Sequence, residues 1–444
     1  MFPTEDAEYL VPLLQRPRPM KRIFNVFREG SQVNQILCAF LICIPIYGYG
    51  NCIGWMSPMT LLLQSEKSPK GFPLTDNEIS WMASLPYLIC VPGTYLVAWL
   101  GDKYGRKNTL LFMSAINAII WILKLCSMNI WVFIVARILV GIVMAGSCVT
   151  CPTYIKEISE DKIRGALGCW EATKALVWLR CRKMNDVVIQ EEMNRIKREQ
   201  KNDEGKGKFL MKNILTDKIL FRAFQISLVA ALARELCGAV PVLNFAGDIF
   251  LLASDVTGVA LSPNQQAIVL GVVQLCGATM ASGIVERCGR RPLLFITCIV
   301  SGISMCILAT WFLLDEFNIS GPAWIPVLTL CMCIFCDAAG LMPISVVIAG
   351  ETFSFKYRGT VLATTMAIAS MADFFQLLFF KPLSKSIGIY AAFYFFGAMC
   401  LITALYVILI VPETKNRKLE EIYYDLRTKK EKRELTKQAN GTTY

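Results

Sequence analysis

Two patterns of acid and arginine each occur twice in this 444-residue chain. Asp102-Lys103-Tyr104-Gly105-Arg106-Lys107 and Glu286-Arg287-Cys288-Gly289-Arg290-Arg291 share the form acid-x-x-Gly-Arg-basic. Glu157 precedes Arg164-Gly165 by the same interval that separates Glu351 from Arg358-Gly359. Glycine allows the positive φ of a tight turn, and an Arg and an acid at helix ends can pair across it. A single copy is explained equally well by the usual basic enrichment of one membrane face. Two matched pairs in the same order imply a duplicated unit. Ion pairs that break and re-form between such halves serve movement rather than bond chemistry.

The other reactive side chains point away from catalysis. The chain has no His, which removes the commonest general base, the usual metal ligand and any Ser-His or Cys-His pair; a covalent enzyme, a metal site and a cofactor are not expected. Eighteen Cys lie almost wholly within apolar or basic stretches. Cys148-x-x-Cys151 and Cys331/Cys333/Cys336 therefore read as free, buried small hydrophobes rather than disulfides or zinc ligands. Gly48, Gly50 and Gly54 fall in an apolar run, where close helix packing outweighs nucleotide binding. Arg234, Glu235, Asp337 and Asp373 also sit in apolar runs, where an unpaired charge costs at least ~2.5–3.5 kcal/mol. Such groups face a cavity or a partner: Arg234 either contacts a charged solute or pairs with an acid on another helix. Helix neighbours point about 100° apart, so no mutual Arg234–Glu235 pair is expected.

The elements that must position these groups follow from composition. Hydrophobic residues make up 55%, charged residues 18%, and the mean hydropathy is +0.49. The apolar residues form blocks near the ~20 residues that cross a ~30 Å hydrocarbon core. Ten candidate spans result: 33–56, 81–100, 108–126, 130–151, 223–250, 264–285, 292–313, 323–348, 360–380 and 389–411. The fold class is thus all-α, a polytopic membrane protein whose partner is the lipid bilayer. Of the 45 Lys and Arg, 38 fall on one side of these spans, four on the other (Lys67, Lys70, Lys381, Lys385) and three within or at the edge of spans (Lys124, Arg137, Arg234). Basic residues are retained inside, so both termini are expected in the cytoplasm and the net charge of +11 does not imply nucleic acid. The first 30 residues lack the h-region of a secretory signal. Asn318-Ile319-Ser320 is a glycosylation sequon in an outer loop, whereas Asn440 lies in the inner tail. Residues 186–200 form a basic amphipathic helix suited to docking beneath the bundle, and 427–437 a solvated, mobile tail.

These motifs, with Arg137-x-x-x-Gly141, Pro152-Thr-Tyr154-x-x-Glu157, Gly165-Ala-Leu-Gly168, Gly271-Val-Val-Gln274 and Pro412-Glu413-Thr414-Lys415 before Leu419-Glu420-Glu421-Ile422, resemble the sugar porter branch of the major facilitator superfamily, and its facilitated trehalose transporter group most, over residues 33–425. The resemblance implies a plasma-membrane porter moving trehalose or a hexose by alternating access. It also implies a cytoplasmic gate made of Asp102, Arg106, Glu157, Arg164, Glu286, Arg290, Glu351 and Arg358.

The chain departs from that family in two ways. The family has twelve spans; here Gly168-Cys169-Trp170 runs straight into Glu171–Arg180, which resembles the start of the cytoplasmic linker, so the fifth and sixth spans are missing. The expected organisation is a tail 1–32, a four-span half 33–168, a linker 169–222, a six-span half 223–411 and a tail 412–444. The sugar site is altered too. Arg234, Glu235 and Val240 stand where the resemblance places amides, Val346 where it places a Trp, Ala338 where it places an acid and Ala369-Ser370 where it places Asn-Trp, while Gln274 is kept. Asn51 replaces the acid that pairs with Arg137 in proton-coupled members, which favours facilitated diffusion. Three readings stay open: a sugar uniporter, a transport-deficient sensor, regulator or truncated isoform, and a porter shifted to a charged solute.

Overall fold

Every regular element among the described residues is helical. The structure, a computed structural model, describes residues 33–65, 68, 73–126, 129–159, 210–257, 262–319, 321–322, 324–415, 417, 419–427 and 430–432. Arg164, the docking helix 186–200, most of the linker and the tail beyond 432 lie outside them, as does the side chain of Glu157. Nine helical stretches among the described residues are long and apolar enough to cross a membrane, and Pro263–Cys288 contains a tenth, shorter apolar stretch, Gln265–Ala281. The chain forms two units. One, Met1–Ile44 with Pro152–Lys206, is described only at the ends of two helices. The other, Pro45–Cys151 with Gly207–Tyr444, holds all the contacts below.

In chain order the helices are α1 (Val33–Gly54), α2 (Met56–Gln64), α3 (Asp76–Tyr104), α4 (Arg106–Cys126), α5 (Ile130–Ser159), α6 (Leu210–Thr216), α7 (Lys218–Glu235), α8 (Ala239–Thr257), α9 (Pro263–Cys288), α10 (Arg290–Glu316), α11 (Ile325–Cys336), α12 (Met342–Thr352), α13 (Phe355–Ser386), α14 (Ile389–Ile410) and α15 (Leu419–Asp425). Outward faces are apolar, as a lipid contact requires: Leu405 and Leu409 of α14 are 60% and 70% exposed. The opposite face packs α14 on α10, and α13 crosses α3 to join the two halves.

The duplication is visible in the elements. Helices α3 and α9 both begin with a capping box, Thr75 with Glu78 and Ser262 with Gln265, in which side chain and backbone donors at the helix start satisfy one another. Both end at a glycine in the left-handed region, Gly105 (φ 85°) and Gly289 (φ 86°).

Three spans differ from expectation. The run 223–250 is part of a 36-residue stretch which at 1.5 Å per residue is far longer than a hydrocarbon core; it breaks at Leu236–Gly238, where Gly238 has φ +86°, and again at Phe245 (φ −115°, ψ 21°). The run 323–348 is interrupted by a π-helical turn, Asp337–Leu341. Lys381 and Lys385, expected in a loop, belong to the last turns of α13, which extends to Ser386. The glycine-rich first span is only partly a packing face. A Cβ at Gly48 would strike the Asn117 side chain, but Gly50 and Gly54 face open space. The C-terminal tail is docked at its start: Ile422 is buried, and Arg222 donates to the carbonyl of Leu426 at 2.9 Å and to Glu431 at 2.8 Å.

Candidate functional site

At the end of the bundle carrying the Gly-Arg turns, each turn places its Arg at the first position of the next helix and its acid four residues back. Arg106 Nη1 meets Asp102 at 2.6 Å, and Arg290 Nη2 meets Glu286 at 3.1 Å. Arg290 also reaches Glu351, at 2.7 Å, tying the α9–α10 turn to the end of α12. Arg358 donates to the carbonyl of Phe353 at 3.3 Å. Two further residues, quoted from the sequence only within the Pro412–Lys415 motif and not as gate residues, complete this network. Thr414 Oγ1 donates to Glu351 at 2.5 Å. Glu413 accepts from the backbone N–H groups of Lys415, Arg290, Thr414 and Arg291 at 2.9–3.2 Å. Burial works to raise the Glu413 carboxyl, but these four donors outweigh it and hold it below the ordinary glutamate value. The signal was present in Pro412-Glu413-Thr414: a lone acid just after an apolar span.

Arg137 is fully buried. Its Nε donates to the carbonyl of Met82 at 2.7 Å, Nη1 to that of Cys52 at 3.2 Å and Nη2 to that of Ala83 at 3.3 Å. Met82 lies four residues before Pro86, and proline has no N–H to return to that carbonyl, so a free acceptor awaits the guanidinium. Asn51, the residue before Cys52, is itself exposed.

Near the middle of the chain's spans, the break at Leu236–Gly238 and the π turn both carry charge. Arg234 and Glu235 end α7 just before the break at Leu236–Gly238, Asp337 opens the π turn, and Asp373 lies midway along α13. Glu235, Asp337 and Asp373 are all buried. Arg234 Nη1 pairs with Glu235 at 2.5 Å, and its Nε lies 3.8 Å from Asp337. The neighbour pair contradicts the expectation from ideal helix geometry, because the helix stops at Glu235 and the long Arg side chain folds back over it. The pair with Asp337 fits the expected partner on another helix. Asp373 lies within electrostatic reach of Glu235 and Arg234. Gln274 and Val346 are half-buried; Gln274 lies one turn before Gly277, where a Cβ would come 3.0 Å from that of Ala338 in the π turn.

The opposite end of the bundle holds a clamp that sequence reading missed. Lys381 Nζ lies 2.7 Å from Asp248 and 3.7 Å from Asp76, donates to Gln64 Oε1 at 2.8 Å, and sits 5.4 Å from the Phe245 ring centre. It therefore joins α13 and α8 to α2 and α3, that is, the second half to the first. Asn318 lies at this end on an exposed left-handed turn (φ 58°), while Ser320 of its sequon is outside the described residues. Sixteen described cysteines are free, and no group of three or more metal-ligating side chains is placed to hold a metal among the described residues.

Residues 36–171 and 169–426 match the sugar (and other) transporter family in two pieces that meet at 169–171. The chain is 25% identical over 446 aligned positions to the facilitated trehalose transporter Tret1 of Bombyx mori, covering 87% of this chain and 86% of that one. It is 24% identical to the Tret1 of Anopheles gambiae, of which it spans only 55%. Since 87% of 444 residues is about 386, about 60 of the 446 aligned positions hold no residue of this chain, about the length of two spans with their loops. Among solved structures, the inward open conformation of the xylose transporter XylE from E. coli superposes with a TM-score of 0.65 at 17% identity, over 87% of this chain and 99% of that one. The proton:xylose symporter XylE bound to 6-bromo-6-deoxy-D-glucose does so at 0.62 and 17%, over 89% and 99%. These likenesses give the fold: a major facilitator helical bundle.

Proposed function

The chain belongs to the sugar (and other) transporter family, and from that membership we propose that it carries trehalose or a hexose across the plasma membrane by facilitated diffusion, through alternating access. It is a multi-pass membrane protein that moves a small solute rather than an enzyme. The observation that carries the mechanism is the pairing of two ion networks at opposite ends of one duplicated bundle. Residues 33–168 and 223–411 are the two rocking halves, joined by the linker 169–222. Asp102, Arg106, Glu157, Arg164, Glu286, Arg290, Glu351 and Arg358 form the gate at the cytoplasmic face, where both termini lie. Lys381 with Asp76, Asp248 and Gln64 closes the outer face, where Asn318 is the glycosylation site. Solute passes between them, past Gln274, Asn51, Arg137, Arg234, Glu235 and Val346. Loading in one state and release in the other requires that the two gates never open together.

The test is uptake of radiolabelled trehalose and glucose by cells in which surface expression of the full chain is confirmed. Saturable uptake is the expected result. Surface expression without flux of either sugar would replace the porter with a transport-deficient regulator, the reading that the absent two-span length favours.

A further inference from the structure

Among the described residues, the interior cluster at the Leu236–Gly238 break and the π turn has more negative than positive groups. Arg234 is the one cation, among the described residues, paired with this group of Glu235, Asp337 and Asp373, and it hydrogen-bonds a single carboxylate oxygen, Glu235 Oε1. Glu235 Oε2, Asp337 Oδ1 and Asp373 Oδ1 are buried with no hydrogen-bond partner; so is one donor, Arg234 Nε, which lies 3.8 Å from Asp337 Oδ1, so acceptors outnumber donors. Two further side chains carry buried, unpartnered amide atoms. Asn244 is 1% exposed and spends its amide N–H on the carbonyl of Val240 at 2.9 Å, which leaves Oδ1 unpartnered. It faces Tyr87, whose ring lies within electrostatic reach of Asp373 and Glu235. Both amide atoms of Gln376, one turn beyond Asp373 on α13, are also unpartnered. Arg234 keeps 26% of its side chain accessible while Glu235 and Asp337 beneath it keep 4% and 3%, so the cluster borders open space instead of being sealed. Buried acceptors left without donors are costly, and a ligand bearing N–H⁺ donors supplies both the missing hydrogen bonds and the missing charge.

We propose that Glu235, Asp337 and Asp373, with the amides of Asn244 and Gln376, bind the protonated amine of a polyhydroxylated solute, so that the site selects an amino sugar over a neutral sugar. The carboxylates hold the ammonium, Arg234 is kept from neutralising all three by its contact with Glu235, and the unpaired amides take hydroxyl groups. The substrate class refines the porter reading and rests on it for flux, though not for binding.

The full chain is purified and probed with D-glucosamine, D-glucose and N-acetyl-D-glucosamine at neutral pH. Binding is read by thermal stabilisation in detergent, and flux by uptake and current in proteoliposomes. Glucosamine is expected to bind roughly 10- to 100-fold more tightly than N-acetylglucosamine, the range for a charged hydrogen bond, and to carry inward positive current. Asp373→Asn and, separately, Asp337→Asn are expected to abolish that preference while residual glucose binding reports an intact fold. Equal binding of the three sugars by the wild type, or an unchanged preference in both variants, overturns the amine site. A current evoked equally by glucose and lost in Asp373→Asn also overturns it, because the cation is then a proton. Selective glucosamine binding without flux of any sugar keeps the site and removes the porter.

Discussion

The guanidinium of Arg137 is tolerated inside an apolar bundle because Pro86 leaves the Met82 carbonyl without its helical donor, and the Cys52 and Ala83 carbonyls complete the set. Arg137→Gln keeps a polar group but cannot fork to three acceptors; it is expected to cost roughly 2–4 kcal/mol and to lower the thermal midpoint of the purified protein. Arg137→Lys should rescue little, since an ammonium lacks the planar fork. Glu413 gives a pH signature. Its folded value lies below the ordinary 4.5, so its stabilising contribution is complete above 4.5 and is lost as pH falls through the lower folded value. Wild type should therefore lose thermal stability more steeply than Glu413→Gln between about pH 5 and pH 3, read from thermal midpoints across a buffer series. Arg137 was legible as a special residue from its place in an apolar run. Its acceptors were not, because a freed carbonyl four residues before a proline matters only when another helix brings a donor to it.

The Gly-Arg turn is the element that the sequence describes best. Both copies adopt the same left-handed glycine and the same acid–arginine pairing across the turn, since φ near +85° is open to glycine and little else. Gly289→Ala meets two obstacles at once, that φ and Glu413 Oε2, which would lie 2.8 Å from the new Cβ. It is expected to cost roughly 1–3 kcal/mol in thermal unfolding, more than Gly271→Ala, whose Cβ meets nothing. The breaks at Leu236–Gly238 and at the π turn were less legible. Hydropathy reads a 36-residue apolar stretch as one span, whereas the structure cuts it where Gly238 turns and where a Cβ would strike the Phe396 ring. Discontinuous helices expose backbone and polar groups inside a membrane protein only where something lines up to use them, and here the break brings Arg234 to Asp337.

For the molecule as a whole, the Lys381 clamp ties the two halves together at one end through Gln64, Asp76 and Asp248. Lys381→Met is expected to shift the conformational equilibrium by roughly 1–3 kcal/mol toward the state open at that end. Hydrogen exchange at residues 60–64 and 245–250 should then quicken, with little change at the Gly-Arg turns; uniform exchange throughout would mean general destabilisation instead. The family match divides at 169–171, the same junction where the chain passes from Gly165-Ala-Leu-Gly168 to linker-like sequence. Two crossings fewer than twelve would leave the sidedness of later segments unchanged, because the number is even.

The amino-acid sequence alone determined the membrane-spanning helices, their duplication and the left-handed turns, because each depends on local hydropathy, periodicity or a single backbone angle, and its motifs carried the resemblance to the family. It also showed that Arg234, Glu235, Asp337 and Asp373 needed partners. Only the tertiary structure decided which ones they have. The Lys381 clamp joins residues up to 317 positions apart, and the Arg234–Glu235 pair depends on where a helix ends. Side-chain reach across packed helices is set by the crossing of elements, a property that no spacing along the chain contains.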